Sequence, residues 1–247
     1  MNDPISVSMV CMLAGKITLE SGAETHRVED TMNRIASAFG LEDAQSYATP
    51  TGINFSSGPA ESTNFIRISN RSTDLHKIAN VNDISRKITA GEVDLPGALK
   101  LLKEVDRAKL TFPGWMQIIS AAFVSGSFAF MFGGTWLNYL PAFFIGGLGF
   151  AALIGCDRFI NTRFISEFLA SILIGLLAFI SIYCGWGSDL NKIIIGAVMP
   201  LVPGLHITNA VRDLMAGHLI AGLSKGVEAF LTAFAIGAGV AVVIGII

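Results

Sequence analysis

The stretch LTFPGWMQIISAAFVSGSFAFMFGGTWLNYLPAFFIGGLGFAALIGC, residues 110–156, decides the fold: it holds 47 consecutive residues without an Asp, Glu, Lys or Arg. A water-soluble domain cannot easily build a surface from such a run, and apolar runs of about 18 or more residues read as bilayer-spanning helices. Outward from it the charge is uneven. Of the 36 charged side chains in the 247-residue chain, 26 fall in residues 1–113 and 10 in residues 114–247. The sequence therefore predicts an α-helical membrane protein that also carries an N-terminal α+β domain. The expected boundary separates a cytoplasmic domain, 1–112, from a membrane domain, 113–247.

Net charge is −2, which gives no electrostatic case for nucleic acid. No cationic start followed by a short apolar stretch opens the sequence, so no cleavable signal peptide is read. Cys11, Cys156 and Cys184 match no metal or disulfide spacing and read as buried small residues. No metal or other cofactor is expected.

Five apolar segments follow: Trp115 to Phe132, Asn138 to Cys156, Phe164 to Trp186, Ile193 to Leu205 and Val227 to Ile247. The fourth is too short to span alone and is interrupted by Pro200, Pro203 and Gly204. Lys100, Lys103, Arg107, Lys109, Arg158, Arg163, Arg212 and Lys225 fall on one side of a five-span arrangement, and Lys192 alone on the other. Basic residues favour the cytoplasmic side, so the N-terminus is expected in the cytoplasm and the C-terminus outside. Trp136, Tyr139, Tyr183 and Trp186 then form an outer aromatic belt.

In the first part, Met9, Leu13 and Ile17 predict a helix ending near Gly22, and Val28, Met32, Ile35 and Phe39 a second ending at Gly40. Alternating Ile53/Phe55 and Ile66/Ile68 around Gly58-Pro59 predict a hairpin, with a third strand near Tyr47. Residues 73–90 read as a helix, and another follows Asp94 with Leu99, Leu102 and Val105 inward.

Two polar stretches stand out. Glu20, Glu24, His26, Arg27, Glu29 and Asp30 crowd the first helix junction. They read either as a carboxylate/imidazole site for a metal or for hydrolysis, or as a solvated helix face with acids in its first turn. No HExxH, CxxC or GxSxG supports an enzyme. The second stretch surrounds the broken fourth segment. Pro200 and Pro203 remove backbone donors, and a break in lipid persists only where protein or a water-filled cavity satisfies the freed groups. A helix starting near Leu205 would offer its N-terminal N–H groups to an anion. Asn209, Asp213 and Gly217 share one of its faces and Arg212 lies beside it. The alternative is a plain helix end with Arg212 as a membrane-edge anchor. His206, His218, Glu167 and Glu228 are further titratable groups near the segment ends.

The run Leu19-Glu20-Ser21-Gly22-Ala23-Glu24-Thr25-His26-Arg27-Val28-Glu29-Asp30-Thr31 resembles the N-terminal signature of the threonine/serine exporter family. Pro203-Gly204, Asn209-Ala210-Val211-Arg212-Asp213-Leu214, Gly217-His218 and Gly222-Leu223 are similar to that family's membrane motif, in the family's order. The resemblance implies a multi-pass protein of the inner or plasma membrane, not an enzyme. It implies a subunit of a proton-coupled secondary exporter for threonine, serine or small carboxylates. Long members carry a second membrane half, and in others that half is a separate small YjjB-like membrane subunit, which this chain would need as partner within an oligomer. The substrate site is then expected at Pro203, Gly204, Thr208, Asn209 and Arg212, with Asp213 and Glu228 as proton carriers. Glu20, Gly22, Glu24, His26, Arg27, Glu29 and Asp30 form the N-terminal motif. A dicarboxylate (succinate) exporter subunit and a membrane-anchored hydrolase are the alternatives.

Overall fold

The structure is a computed structural model that describes residues 6–108, 111–160 and 163–246. Lys109 and Ile247, used above in reading the topology and the fifth segment, lie outside them, as does the side chain of Arg163. The chain divides into two compact units: Met1–Thr111 with His206–Gly226, and Phe112–Leu205 with Val227–Ile247.

The first unit holds α1 (Val7–Glu20), α2 (Thr25–Ala38), an antiparallel sheet, α3 (Leu75–Thr89) and α4 (Leu95–Arg107). The sheet has the order β1 (Gln45–Thr49), β2 (Gly52–Ser56), β3 (Asn64–Arg67). Its register places Ala48 opposite Ile53 and Ile53 opposite Ile66. Alternation sends Ile53 and Phe55 inward, where both are fully buried. Ser6 caps α1 and Asp94 caps α4, each accepting from the backbone N–H three residues on.

The buried face of α1 is wider than the Met9, Leu13 and Ile17 stripe that marks it in the sequence. Met9 is exposed and Leu13 only partly buried, whereas Val10, Cys11, Ala14, Ile17 and Thr18 are buried. The reason is that α1 packs against α2, α3, α4 and the sheet at once, so its buried arc is broad and centred one residue later. Helix α2 keeps its expected face, with Val28, Met32 and Ile35 fully buried.

The second unit contains α5 (Gly114–Met131), α6 (Trp136–Ile160), α7 (Arg163–Tyr183), α8 (Leu190–Val198), a 3-10 turn (Met199–Leu201) and most of α10 (Leu219–Ile246). Its centre is built of small and β-branched residues, among them Ala129, Ala142, Ala170, Ile174, Ala178, Ile193 and Ala197. Asn138 is buried and its Oδ1 accepts from Ser188 N, Ser188 Oγ and Asp189 N at 2.9–3.1 Å, fixing the α7–α8 loop. Asp189 in turn caps α8.

By length and composition α5, α6, the part of α7 from Phe164 and α10 can each cross a membrane. The pair Leu190–Leu201 and Gly204–Met215 passes the same test but is bent by 61°, as a broken fifth span or a re-entrant loop would be. Phe123, Phe144, Leu148, Phe230 and Phe234 are half or more exposed, an apolar outer surface of the kind that faces lipid. The bend falls at Val202, whose extended backbone separates the 3-10 turn holding Pro200 from α9 (Gly204–Met215). Several boundaries differ from the sequence reading: α6 runs on to Ile160, α7 stops at Tyr183 before the left-handed Gly185, α8 starts at Leu190, and α10 starts at Leu219, eight residues before the apolar run.

Candidate functional site

Two helix ends of the same design meet in the first unit. After α1, Gly22 takes a positive φ of 86°, while Gly22 N donates to Leu19 O and Ala23 N to Thr18 O. After α9, Gly217 takes a φ of 87°, with Gly217 N donating to Leu214 O and His218 N to Asp213 O. Both are Schellman caps, which need a residue tolerant of the left-handed region. A side chain at position 22 would also crowd the Ser72 carbonyl, 3.1 Å from an added Cβ.

The first cap delivers the loop Ser21–Glu24 and the N-terminus of α2 to one face of α9. Asn209 Nδ2 donates to Gly22 O at 2.9 Å. Arg212 Nη1 donates to Glu24 Oε1 at 2.6 Å. The fully buried Asp213 carboxylate accepts from Thr25 N at 2.8 Å, from Thr25 Oγ1 at 3.0 Å and from Lys225 Nζ at 2.7 Å. Lys225, on α10, also donates to Ala23 O and Thr25 Oγ1, both at 3.1 Å. Asp213 thus supplies the anion that the positive end of α2 favours, in a place where the N-cap residue Glu24 makes no side-chain cap. A buried charge persists only when paired and hydrogen-bonded, and this one has both.

Around this clamp lie two imidazole–carboxylate contacts. His26 Nδ1 approaches Asp213 Oδ1 to 3.5 Å, and His218 Nδ1 approaches Glu29 Oε1 to 3.6 Å. Glu29 Oε1 also accepts from Ala48 N at 2.8 Å, tying α2 to β1. Burial pushes the Glu29 carboxyl up, and the Ala48 amide and the imidazole charges pull it back only in part. For Glu24 burial also acts upward, but the Arg212 hydrogen bond, its own backbone amide and the Arg27 charge outweigh it. Its carboxyl is held below the ordinary range, so the Glu24–Arg212 pair stands above that range and is lost only as pH falls through the depressed value.

The N-terminal motif is therefore not one cluster. Glu24, His26 and Arg27 line an open cleft of about 430 Å³ together with Arg212, Met215 and Ala216. Arg27 Nη1 lies 3.6 Å from Glu24 Oε2, so two half-exposed guanidinium groups share one buried carboxylate. Asp30 faces solvent and pairs with Arg34 at 2.8 Å. Glu20 lines a different cavity. Among the described residues no group of three or more His, Cys, Asp or Glu is placed to hold a metal ion.

Of the membrane-motif residues, Asn209, Arg212 and Asp213 gather on the α1–α2 loop. Thr208 is exposed on α9. Pro203, Gly204 and Glu228 belong to the other compact unit, Pro203 buried, Gly204 exposed and Glu228 partly buried. The sequence reading missed Thr25 and Lys225 as site residues and took Lys225 for a topology charge. A signal was present: Asp213 and Lys225 flank the left-handed Gly217, which folds their two helices back on each other.

A helical chain with four or five candidate spans and an α+β unit clamped to its own membrane motif defines a multi-pass membrane protein. The family described as “Putative threonine/serine exporter” matches residues 9–247, and the chain belongs to that family. A “Probable threonine/serine exporter” of Mycobacterium tuberculosis is 25% identical over 226 residues, covering 88% of this chain and 42% of that protein. The chain thus spans less than half the length of that relative. The “Probable succinate transporter subunit YjjP” of Escherichia coli is 24% identical over 243 residues, covering 95% of this chain and 92% of that protein. “Pheromone-regulated membrane protein 10” of Eremothecium gossypii is 24% identical over 231 residues, 89% of this chain and 30% of that protein. No solved structure matches. The family and two of these relatives are named for membrane transport.

Proposed function

We propose that the chain is one subunit of a secondary exporter for small hydroxy-amino acids or small carboxylates, coupled to protons and completed by a small YjjB-like membrane subunit. The N-terminus lies in the cytoplasm and the C-terminus outside the inner or plasma membrane. A relative named as a subunit, matched over 92% of its length, supports the half-exporter reading. The observation that carries the mechanism is the clamp. Asn209, Arg212 and Asp213, which follow the broken segment, bind the α1–α2 loop and the start of α2 through four hydrogen bonds with Gly22, Glu24 and Thr25, and Asp213 takes a fifth from Lys225.

The consequence is a division of labour. Arg212 keeps a half-exposed guanidinium in the 430 Å³ cleft, where with Arg27 it suits a solute carboxylate. Asp213 is neutralised by Lys225 and fully buried, so it carries a proton only if the clamp opens. Proton movement and opening are then one event, with Glu228 the second carrier. Pro203, Gly204 and Thr208 frame the break that lets α9 tilt toward the loop.

Proteoliposomes holding this chain and its small partner test the reading. Threonine, serine and succinate efflux under a proton gradient is expected from the wild type. The double variant Asn209→Ala, Asp213→Asn is expected to abolish it. Normal flux in that variant would overturn the role of the clamp, and no flux of any of the three solutes from wild type would overturn the substrate class.

A further inference from the structure

The two edges of the three-stranded sheet in the first unit differ. Strand β1 is covered by α2. Ala48 N points away from β2 and donates to Glu29 Oε1 at 2.8 Å, and Ser46 Oγ donates to Glu29 O and Asn33 Oδ1. Strand β3 is open. Ile68 N donates to Thr51 O at 2.9 Å, and the register sets Ile66 opposite Ile53 and Asn64 opposite Phe55. Opposed residues in an antiparallel ladder alternate between bonded and non-bonded pairs. Phe65 and Arg67 therefore turn their N–H and C=O groups away from β2, and among the described residues nothing bonds to the backbone of either. Asn64, Phe65 and Arg67 are exposed, Phe65 by 61%. Edge strands are ordinarily blunted by proline, lysine, a bulge or a covering element. Strand β3 itself holds neither proline nor lysine, and its single charge is Arg67. An aromatic row runs to this edge on the outer face: Tyr47, Asn54 and Phe65 are cross-strand neighbours, with Tyr47 half exposed. The Phe65 ring lies over Gly52, where an added Cβ would be 2.6 Å from Phe65 Cε2.

We infer that β3 is an interface between two copies of this chain: it pairs antiparallel with β3 of a second copy, Phe65 opposite Phe65, and joins the two sheets into one of six strands. Such a two-fold contact uses the same patch on both subunits, so the edge must be complementary to itself.

Charge and backbone direction select that register. Both strands must bond through the residues that point outward, which leaves two-fold centres at Asn64, Phe65, Ile66 or Arg67. A centre at Arg67 sets the two guanidinium groups face to face, and one at Ile66 sets them on a diagonal, where like charges repel. A centre at Asn64 sets Arg67 against Glu61, whose N–H is already spent on Gly58 O at 3.1 Å. A centre at Phe65 puts Arg67 opposite Thr63 of the second copy and diagonal to its Glu61, about 7–8 Å away and within reach of long side chains. It also sets the two exposed Phe65 rings side by side, continuing the aromatic row across the joint. Arg67 after the centre and Glu61 before it thus make the edge its own counterpart. The inference rests on the sheet alone and is independent of the solute carried.

The test is oxidative cross-linking in membranes from cells making the full chain with Cys156→Ala and Cys184→Ala, where the remaining Cys11 is fully buried. Phe65→Cys should give a disulfide-linked dimer, because a bonded pair lies about 5.5 Å apart at Cα, within disulfide reach. Tyr47→Cys should give none, because its two copies would lie five strand spacings of about 4.8 Å apart. Thr63→Cys and Arg67→Cys, on chains of different size in the same cells, should link to each other and not to themselves. In the Phe65→Cys chain, Arg67→Glu should lower the dimer yield by about threefold or more, and Glu61→Arg added to it should restore the yield. No Phe65→Cys dimer, an equal Tyr47→Cys dimer, or self-linked Thr63→Cys would overturn the inference. An adduct of another mass would mean that a different protein holds the edge, and would overturn it as well. Thermal melting in detergent shows which variants are folded; if Phe65→Cys is not, the Thr63→Cys and Arg67→Cys pair decides alone.

Discussion

At the residue scale the decisive group is Asp213. It is fully buried, receives two bonds from Thr25 and one from Lys225, and faces the first turn of α2. Removing one partner of a buried pair strands the other, at a cost of about 3–5 kcal/mol. Asp213→Asn and Lys225→Met are each expected to destabilise the first unit by that order. The double variant should cost clearly less than the sum, because neither charge is then left alone. Chemical denaturation of the four proteins, followed by circular dichroism, gives the coupling directly; additive losses would mean that the two charges do not stabilise each other. Little of this pairing was legible beforehand. The residues were visible as motifs, but Asp213 and Thr25 lie 188 positions apart, and periodicity speaks only of neighbours along one element.

At the scale of elements, the sequence was most informative where local chemistry dominates. The break before α9 follows from Pro200, Pro203 and Gly204, and the hairpin from alternation around Gly58-Pro59, and both stand where they were read. The stripe Met9, Leu13 and Ile17 marks only part of the buried face of α1, because packing on several sides, rather than a single stripe, decides it. In the membrane helices, glycine marks close approach. At Gly196 on α8 an added Cβ would lie 2.6 Å from Ala129 Cβ and 2.7 Å from Ser125 O. Backbone cannot yield as a flexible side chain does, so Gly196→Ala should push α8 off α5 and cost about 1–3 kcal/mol. A melting temperature in detergent unchanged from wild type would show that the contact has room to spare.

At the scale of the whole molecule, the proposed orientation makes a chemical forecast. Of the three cysteines read from the sequence as buried, Cys156 is only partly buried and Cys184 is exposed in the turn after α7, on the side expected to face outward. Cys11 is fully buried in α1, and burial pushes its thiol up to about 12, far above the ordinary range. In a Cys156→Ala background, a membrane-impermeant maleimide added to intact cells should label Cys184 and leave Cys11 untouched. Labelling of Cys184 only after the cells are opened would reverse the topology. The charge asymmetry of the sequence set this expectation, but it could not show that His206–Gly226, from the charge-poor half, packs as one unit with the first 111 residues.

That arrangement constrains the order in which the protein can be made. The amide of Thr25 leaves the ribosome early, and the carboxylate that caps it is 188 residues behind. Until Asp213 and then Lys225 are synthesised, the start of α2 has no counter-charge and the loop at Gly22 has nothing to hold. Completion of the early-made part is therefore postponed until the start of the last helix has emerged, and a nascent chain cut short before residue 213 leaves an open end on α2.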